Sequence, residues 1–182
     1  MSGQGVADAV VASRPPNLVF GASNLIRNAD LSPIAELSSV ADQQSGTERC
    51  VCWANRGLAG IDGVISTAIG IALGTGRPTT VLIGDLGFLH DIGSLHLPTG
   101  QPVPDLRIVV ADDNGGSIFS TLEIADSPDY QKLFAMPHGR DLGALAEGFG
   151  WPIRRPGDLV ELIEALAQPV RGIEVLVAVL GA

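Results

Sequence analysis

The stretch VLIGDLGFLHDIGSLHL, residues 81–97, decides how the chain folds. It begins with an uninterrupted apolar run, which is typical of a strand that is buried on both faces of a parallel sheet. Gly84 and Asp85 follow this run directly, and the residues after them have the spacing of a helix. The stretch therefore predicts a buried strand that ends in a carboxylate and turns at once into a helix.

Three further apolar runs share this uninterrupted character: Leu18–Phe20, Ile108–Val110 and Val175–Leu180. A shorter and more polar fifth strand is predicted at Arg49–Trp53. Helices are predicted between the strands, at Ile61–Leu73, Asp141–Phe149 and Asp158–Ala167. Alternating strands and helices indicate an α/β fold, here a three-layer sandwich around a central, mostly parallel sheet. Residues 1–16 are predicted to form a helical lead-in, and residues 17–182 one domain.

Composition and charge exclude several classes of protein. Hydrophobic residues make up 46% of the 182 residues and charged residues 17%, which predicts a folded domain with a sizeable core. The net charge of −9 argues against a nucleic-acid or membrane-surface binder. No run reaches the roughly 18 apolar residues that span a bilayer, and the N-terminus lacks signal-peptide features. We therefore expect a cytoplasmic protein, with Cys50 and Cys52 as buried free thiols.

Ligands of parallel sheets bind at the carboxyl ends of the strands. Polar, mostly glycine-rich segments follow four of the predicted strands, at residues 21–24, 55–57, 84–86 and 112–116. Asp85 and Asp113 would lie at neighbouring strand ends, where oxygen ligands suit Mg²⁺, and Gly115 and Gly116 allow the backbone to approach a ligand closely. The alternative is that both aspartates are helix N-caps.

Four segments, in this order, resemble one enzyme family. They are GASNLIRNADL (21–31), ANRGLAGIDGVISTAIGIAL (54–73), GDLGFLHDIGSL (84–95) and DDNGGSIF (112–119). Together they are similar to the C-terminal, diphosphate-binding domain of the 2-succinyl-5-enolpyruvyl-6-hydroxy-3-cyclohexene-1-carboxylate (SEPHCHC) synthases. These are thiamine-diphosphate enzymes of menaquinone biosynthesis, and the resemblance runs from Asn17 to the C-terminus.

This resemblance implies that the cofactors are thiamine diphosphate and Mg²⁺, with Mn²⁺ as a substitute. Asp85 and Asp113 match the side-chain ligands of the metal, and Gly115 matches the residue that supplies a carbonyl ligand. Asp113 stands where the family usually has Asn, which adds a negative charge to the site. The cofactor-binding positions are Gly84, Asp85, Leu86, Gly115 and Gly116.

The resemblance also implies a reaction and its residues. The implied enzyme decarboxylates 2-oxoglutarate and adds the resulting succinyl carbanion to isochorismate. Ile61 matches the catalytic position that holds the cofactor in its bent shape. Three positions match residues that bind the substrate carboxylates, a task for which arginine is well suited: Ser23, Arg27 and Arg56. Two apolar positions match residues around the reaction centre: Phe119 and Leu122.

One part of such an enzyme has no counterpart in the chain. The family builds its active site between two domains, and the pyrimidine-binding domain supplies an activating glutamate. The sequence therefore predicts either one domain of a longer enzyme or one subunit of a two-chain enzyme, a homo-oligomer in its full-length form. Without its pyrimidine-binding partner, we expect the chain to bind cofactor weakly and not to turn over substrate.

Two other functions stay open at the level of sequence. One is a noncatalytic diphosphate-binding module that has kept the fold, and the other is part of a different thiamine-diphosphate decarboxylase or carboligase. A dinucleotide-binding domain is disfavoured because no G-x-G-x-x-G motif follows the first strand. Ser23 lacks the following glycine of a nucleophile elbow. His90 and His96 are interpreted as structural, and the role of His138 is open.

Overall fold

The computed structural model of the protein describes residues 1–32, 50–55 and 60–181. The strands are β1 (Asn17–Phe20), β2 (Val51–Ala54), β3 (Thr79–Gly84), β4 (Leu106–Asp112), β5 (Ile153–Arg154) and β6 (Ile173–Val179). The α-helices are α1 (Gly3–Ala12), α2 (Asn24–Asp30), α3 (Val64–Thr75), α4 (Asp85–Asp91), α5 (Leu142–Glu147) and α6 (Leu159–Ala167). Shorter turns of helix lie at Ile92–Leu95, Glu123–Asp126 and Gln131–Ala135.

The strands form one six-stranded sheet in the order β2-β1-β3-β4-β6-β5. Every pairing in it is parallel. The apolar runs of the sequence lie side by side at its centre, where Val81 pairs with Ile108 and Ile108 with Val175. The predicted parallel sheet is therefore confirmed, and the carboxyl ends of all its strands lie at the same edge.

Helices cover both faces of this sheet. Because alternate residues of a strand point to opposite faces, neighbouring residues of β3 enter different cores. Leu82 packs with α1, α2 and α6, whereas Val81 packs with α3, α4 and α5. Both side chains are fully buried. The predicted three-layer sandwich is confirmed. Within residues 1–16, α1 belongs to the first of these layers.

Three local features differ from the sequence prediction. Strand β5 was missed because it has only two residues, lies between two prolines and pairs only with β6. Helix α2 was also missed, since it is short and directly follows a glycine-rich turn. Helix α3 begins at Val64 rather than at Ile61, because Gly63 adopts a left-handed conformation (φ 70°) at the N-cap. Ile61 is consequently outside the helix.

The cysteines are less buried than the sequence predicted. They flank Val51 on β2, an edge strand whose four residues are all exposed, so Cys50 is half-buried and Cys52 exposed. A hydrogen bond from Cys50 lowers the pKa of the Cys52 thiol to about 7, and the same contact raises the pKa of Cys50. The prediction of two buried thiols is wrong. Separately, no helix among the described residues has the length and apolar character needed to cross a bilayer.

Candidate functional site

A cleft of about 830 Å³ opens at the carboxyl ends of β1, β3 and β4. Three segments form most of its wall, and each lies at or within a few residues of the end of one of these strands: residues 21–28, 83–87 and 115–119. This is the edge at which parallel sheets bind ligands. The cleft therefore lies where the glycine-rich and polar strand ends of the sequence predicted a site.

Most of the residues singled out in the sequence meet in this cleft. Its lining includes Ser23, Arg27, Ile61, Gly84, Asp85, Leu86, Asp113, Gly115, Gly116 and Phe119. Leu122 lies outside the lining and is 55% exposed. Arg56 lies outside the described residues. The structure brings the ten residues together, and the role assigned to each of them stays a prediction.

Asp85 is the most buried carboxylate in the cleft, with 3% of its surface exposed. Its Oδ1 accepts a hydrogen bond from the Leu86 N–H (2.6 Å), and its Oδ2 accepts one from the Gly115 N–H (2.7 Å). The N-cap position of α4 is held by Gly84, so Asp85 is the first residue of the helix and not its cap. The N-cap alternative is therefore wrong for Asp85.

Two residues that the sequence analysis did not connect with Asp85 lie close to its carboxylate in the structure. Asp85, Asp112 and His138 each offer one ligand atom, and these atoms lie within 4.8 Å of one another. The predicted ligand Asp113 also lines the cleft, close enough for its charge to act on Asp85. The sequence gives no sign that His138 contacts Asp85. Its loop has no periodic pattern, and the two residues are 53 positions apart in the chain.

Two glycines shape the loop after β4. Gly115 has a φ of 151°, and a Cβ atom there would collide with the carbonyl oxygen of Ala135. The Gly116 N–H donates to that same oxygen (2.6 Å). Only glycine lets the backbone come this close to the neighbouring turn. The close contact fixes the Gly115 N–H against Asp85.

Gly84 has a different part in the cleft. A Cβ atom at this position would meet no other atom within 4 Å. Glycine is therefore not needed to avoid a clash, and instead it leaves the cleft wall beside Asp85 free of a side chain. An acidic residue next to such open backbone, with a glycine loop opposite, fits a group that carries a divalent cation and a diphosphate.

Ser23 and Ile61 also line the cleft. Ser23 has φ 99° and ψ −154°, a conformation that residues with side chains rarely adopt, and such strain concentrates at functional sites. Ile61 is 37% exposed and does not belong to the hydrophobic core. An isoleucine in the cleft lining is accessible to a ligand, and the role implied for Ile61 stays a prediction. Arg27, on α2, is exposed at the rim.

An aromatic cluster forms the apolar side of the cleft. Phe119 and Phe134 meet edge to face with their ring centroids 5.8 Å apart, and both line the cleft. Tyr130 stacks on Phe134 at 6.1 Å. Phe119 was predicted, whereas Phe134 and Tyr130 were not, since they come from a turn with no recognisable motif. The lining of the cleft thus combines polar residues that suit a metal with apolar and aromatic residues.

Burial gives Asp85 an unusual pKa. Removal of the carboxylate from water, together with the smaller effect of the charge of Asp113, raises the pKa of Asp85 from 3.8 to about 6 overall. The N–H groups of Gly115 and Leu86 oppose the rise, because they stabilise the ionised form. Asp85 therefore titrates close to neutrality, and a cation in the cleft would compete with its proton.

The chain is similar to curated proteins over most of its length, although no family model matches it. It is 49% identical over 162 residues to the SEPHCHC synthase of Paenarthrobacter aurescens, covering 85% of this chain and 27% of that protein. It is also 49% identical over 181 residues to the SEPHCHC synthase of a Nocardioides species, covering 96% of this chain and 32% of the relative. The chain is homologous to one part of the SEPHCHC synthases. It spans about a third or less of the length of these relatives.

Solved structures agree on the fold. Benzoylformate decarboxylase from Polynucleobacter necessarius superposes with a TM-score of 0.66 at 22% identity, over 96% of this chain and 32% of that one. A Mycobacterium smegmatis protein that has been proposed to be a thiamin diphosphate-dependent enzyme gives 0.63 at 21% identity, over 98% and 32%. The predicted fold is therefore confirmed, and this chain shares it with these solved structures.

Proposed function

We propose that the chain is the domain of a SEPHCHC synthase that binds thiamine diphosphate and a divalent cation. The cation is Mg²⁺, or Mn²⁺ in its place. One observation carries the proposal: the buried carboxylate of Asp85 is hydrogen-bonded to the glycine loop at Gly115 in the wall of the cleft, in a chain homologous to SEPHCHC synthases. A cytoplasmic location and a homo-oligomeric full-length enzyme belong to the same proposal.

The polar residues of the cleft would hold the cofactor. Asp85, Asp113 and the carbonyl of Gly115 would bind the cation, which prefers oxygen ligands. The diphosphate would lie along the backbone of Gly84, Leu86 and Gly116. Thiamine diphosphate, when bound, supplies a nucleophilic carbon and takes up the electron pair released by decarboxylation.

The remaining residues would bind the substrates and exclude water. Ser23 and Arg27 would hold carboxylates of 2-oxoglutarate and isochorismate, together with Arg56, which lies outside the described residues. Arginine binds a carboxylate through two parallel hydrogen bonds, which also fixes the orientation of the substrate. Ile61 would hold the cofactor in its bent shape, and Phe119 would form an apolar surface that keeps water from the reacting atoms. Leu122 would join them from its exposed position outside the cleft lining.

Reconstitution tests the proposed reaction. The chain is mixed with the part of the Nocardioides relative that lies outside the matched segment, which we expect to supply the pyrimidine-binding domain. Mg²⁺, thiamine diphosphate, 2-oxoglutarate and isochorismate are then added. We expect CO₂ release and formation of the succinyl adduct of isochorismate, and neither without the partner. An assembly that binds the cofactor tightly but stays inert would instead identify a noncatalytic diphosphate-binding module.

Cofactor binding should depend on pH through Asp85. The cation needs the ionised carboxylate, whose pKa is about 6, so binding is complete above this pH and is lost below it. Mg²⁺-dependent affinity for thiamine diphosphate should fall about tenfold between pH 7 and pH 5, against almost no change for a carboxylate of ordinary pKa. Calorimetry at both pH values measures this.

The control for the pH dependence is Asp113→Asn, which keeps an oxygen ligand and leaves the burial of Asp85 unchanged, but removes the charge that adds to the rise in its pKa. Titration of the cofactor diphosphate is the same for both proteins, so only the difference between them reports Asp85. The midpoint of the loss should move to lower pH in the variant. An unmoved midpoint would mean that the charge of Asp113 does not act on the group that controls binding.

A further inference from the structure

The imidazole of His138 lies between two carboxylates in the cleft. Its Nε2 is 3.1 Å from Oδ2 of Asp85 and 3.5 Å from Oδ1 of Asp112. Only 9% of the histidine side chain is exposed. A nitrogen in this position has two possible functions: it is either a ligand of the cation or a hydrogen-bond donor to the residue that binds the cation.

The other ring nitrogen decides between these two functions. Nδ1 of His138 accepts a hydrogen bond from the Arg140 N–H (3.0 Å), so it carries no proton. A neutral imidazole has one proton, which must then be on Nε2. The Nε2–H faces Asp85 and acts as a donor. The loop is held in place by Asn114, whose Oδ1 accepts from the Gly139 N–H (2.7 Å).

The hydrogen-bond donors around Asp85 leave one lone pair of its carboxylate for a cation. A carboxylate has about four lone-pair positions, two on each oxygen. Oδ2 of Asp85 accepts from the Gly115 N–H and from Nε2 of His138, which fills both of its positions. Among the residues that the structure describes, only the Leu86 N–H donates to Oδ1. One lone pair is therefore left, and it is on Oδ1.

We propose that Oδ1 of Asp85 is the oxygen that binds the cation, and that His138 is a positioning residue that occupies Oδ2. This inference rests on the proposed function, since it concerns the cation of that site. His138 fixes the rotation of the carboxylate and stays out of the ligand shell itself. The shell then contains oxygen only, which suits Mg²⁺ and Mn²⁺ better than softer metals that favour imidazole.

The proton on His138 is tested without any cofactor. Long-range ¹H–¹⁵N spectra of ¹⁵N-histidine protein distinguish the two ring tautomers. The chain has three histidines, and loss of one set of signals in His138→Gln identifies those of His138. We expect the proton on Nε2. A proton on Nδ1 would overturn the inference, whether or not the chain binds cofactor.

The positioning function is tested by Mn²⁺ binding in the presence of thiamine diphosphate, followed by electron paramagnetic resonance. His138→Ala should weaken Mn²⁺ affinity at least tenfold, as is usual when a residue that orients a metal ligand is lost. His138→Gln should restore affinity to within about threefold of wild type, because its amide N–H reaches the place of Nε2. His138→Asn is shorter and should resemble the alanine variant.

Two results would contradict the positioning function. One is Mn²⁺ binding by His138→Gln that is as weak as that by His138→Ala. The other is ¹⁵N coupling from His138 in the Mn²⁺ spectrum, which would make the histidine a ligand. Absence of Mn²⁺ binding in the wild-type chain with thiamine diphosphate would count against the proposed function. The tautomer measurement would still decide the inference about His138 in that case.

Discussion

Replacement of Asp85 by alanine is expected to weaken Mg²⁺-dependent binding of thiamine diphosphate by on the order of a hundredfold or more. Loss of a residue that merely orients a metal ligand costs about 10–100-fold, and loss of the ligand itself should cost at least the upper value. Asp85 is the buried carboxylate of the cleft, and the Gly115 N–H bonds directly to it. Calorimetric titration of the chain with thiamine diphosphate in excess Mg²⁺ measures the effect.

The matched control for this experiment is Asp126→Ala. It also removes one aspartate, but from an exposed position outside the cleft lining. It should bind the cofactor like the wild type. Because Asp85→Ala leaves the N–H groups of Leu86 and Gly115 without their acceptor, circular dichroism must show that the variant is folded. A folded Asp85→Ala protein with undiminished affinity would refute the metal site.

The sequence contains enough to predict the sheet and the position of its cleft. Continuous apolar runs such as Val81–Ile83 arise because helices bury both faces of a parallel sheet, and the structure has these runs at its centre. Since parallel strands end at one edge, the polar residues that follow them are brought together by topology alone. Asp85 and Gly115 could thus be predicted to meet before any coordinates were known.

The contacts that complete the cleft could not be predicted in this way. His138 reaches Asp85 because the backbone of Gly116 bonds to Ala135 and brings the following loop against the strand ends. Such loop-to-loop contacts leave no periodic pattern in the sequence. Asp112 was passed over in favour of its neighbour Asp113, and a shift of one residue at the end of a strand changes which carboxylate faces the histidine.

An ion pair inside the sheet is a second contact that leaves no periodic pattern in the sequence. Arg107 on β4 lies opposite Glu174 on β6 in the strand register, and the two residues are only 4% and 7% exposed. The Arg107 Nε–H donates to Oε1 of Glu174 (2.6 Å). The other guanidinium nitrogens donate to the carbonyls of Leu166 (2.8 Å) and Gln168 (2.7 Å), which ties the end of α6 to the sheet.

Replacement of Arg107 by methionine is therefore expected to lower the free energy of unfolding by about 3–5 kcal/mol, because it leaves Glu174 buried without its main partner. Arg154, 3.6 Å from Glu174, is half exposed and compensates only in part. Urea denaturation measures the loss. Arg171→Met is the matched control, since the Arg171 side chain is 87% exposed and its pair with Asp105 should contribute at most ~1 kcal/mol.

The double variant Arg107→Met/Glu174→Met separates the cost of an unpaired charge from the value of the pair. Removal of both charges should restore much of the lost stability, because well-packed apolar residues often replace a buried ion pair at little cost. Recovery should be incomplete, since the carbonyls of Leu166 and Gln168 still lack their donor. A double variant no more stable than Arg107→Met would mean that the bonds to α6, and not the charge of Glu174, make Arg107 necessary.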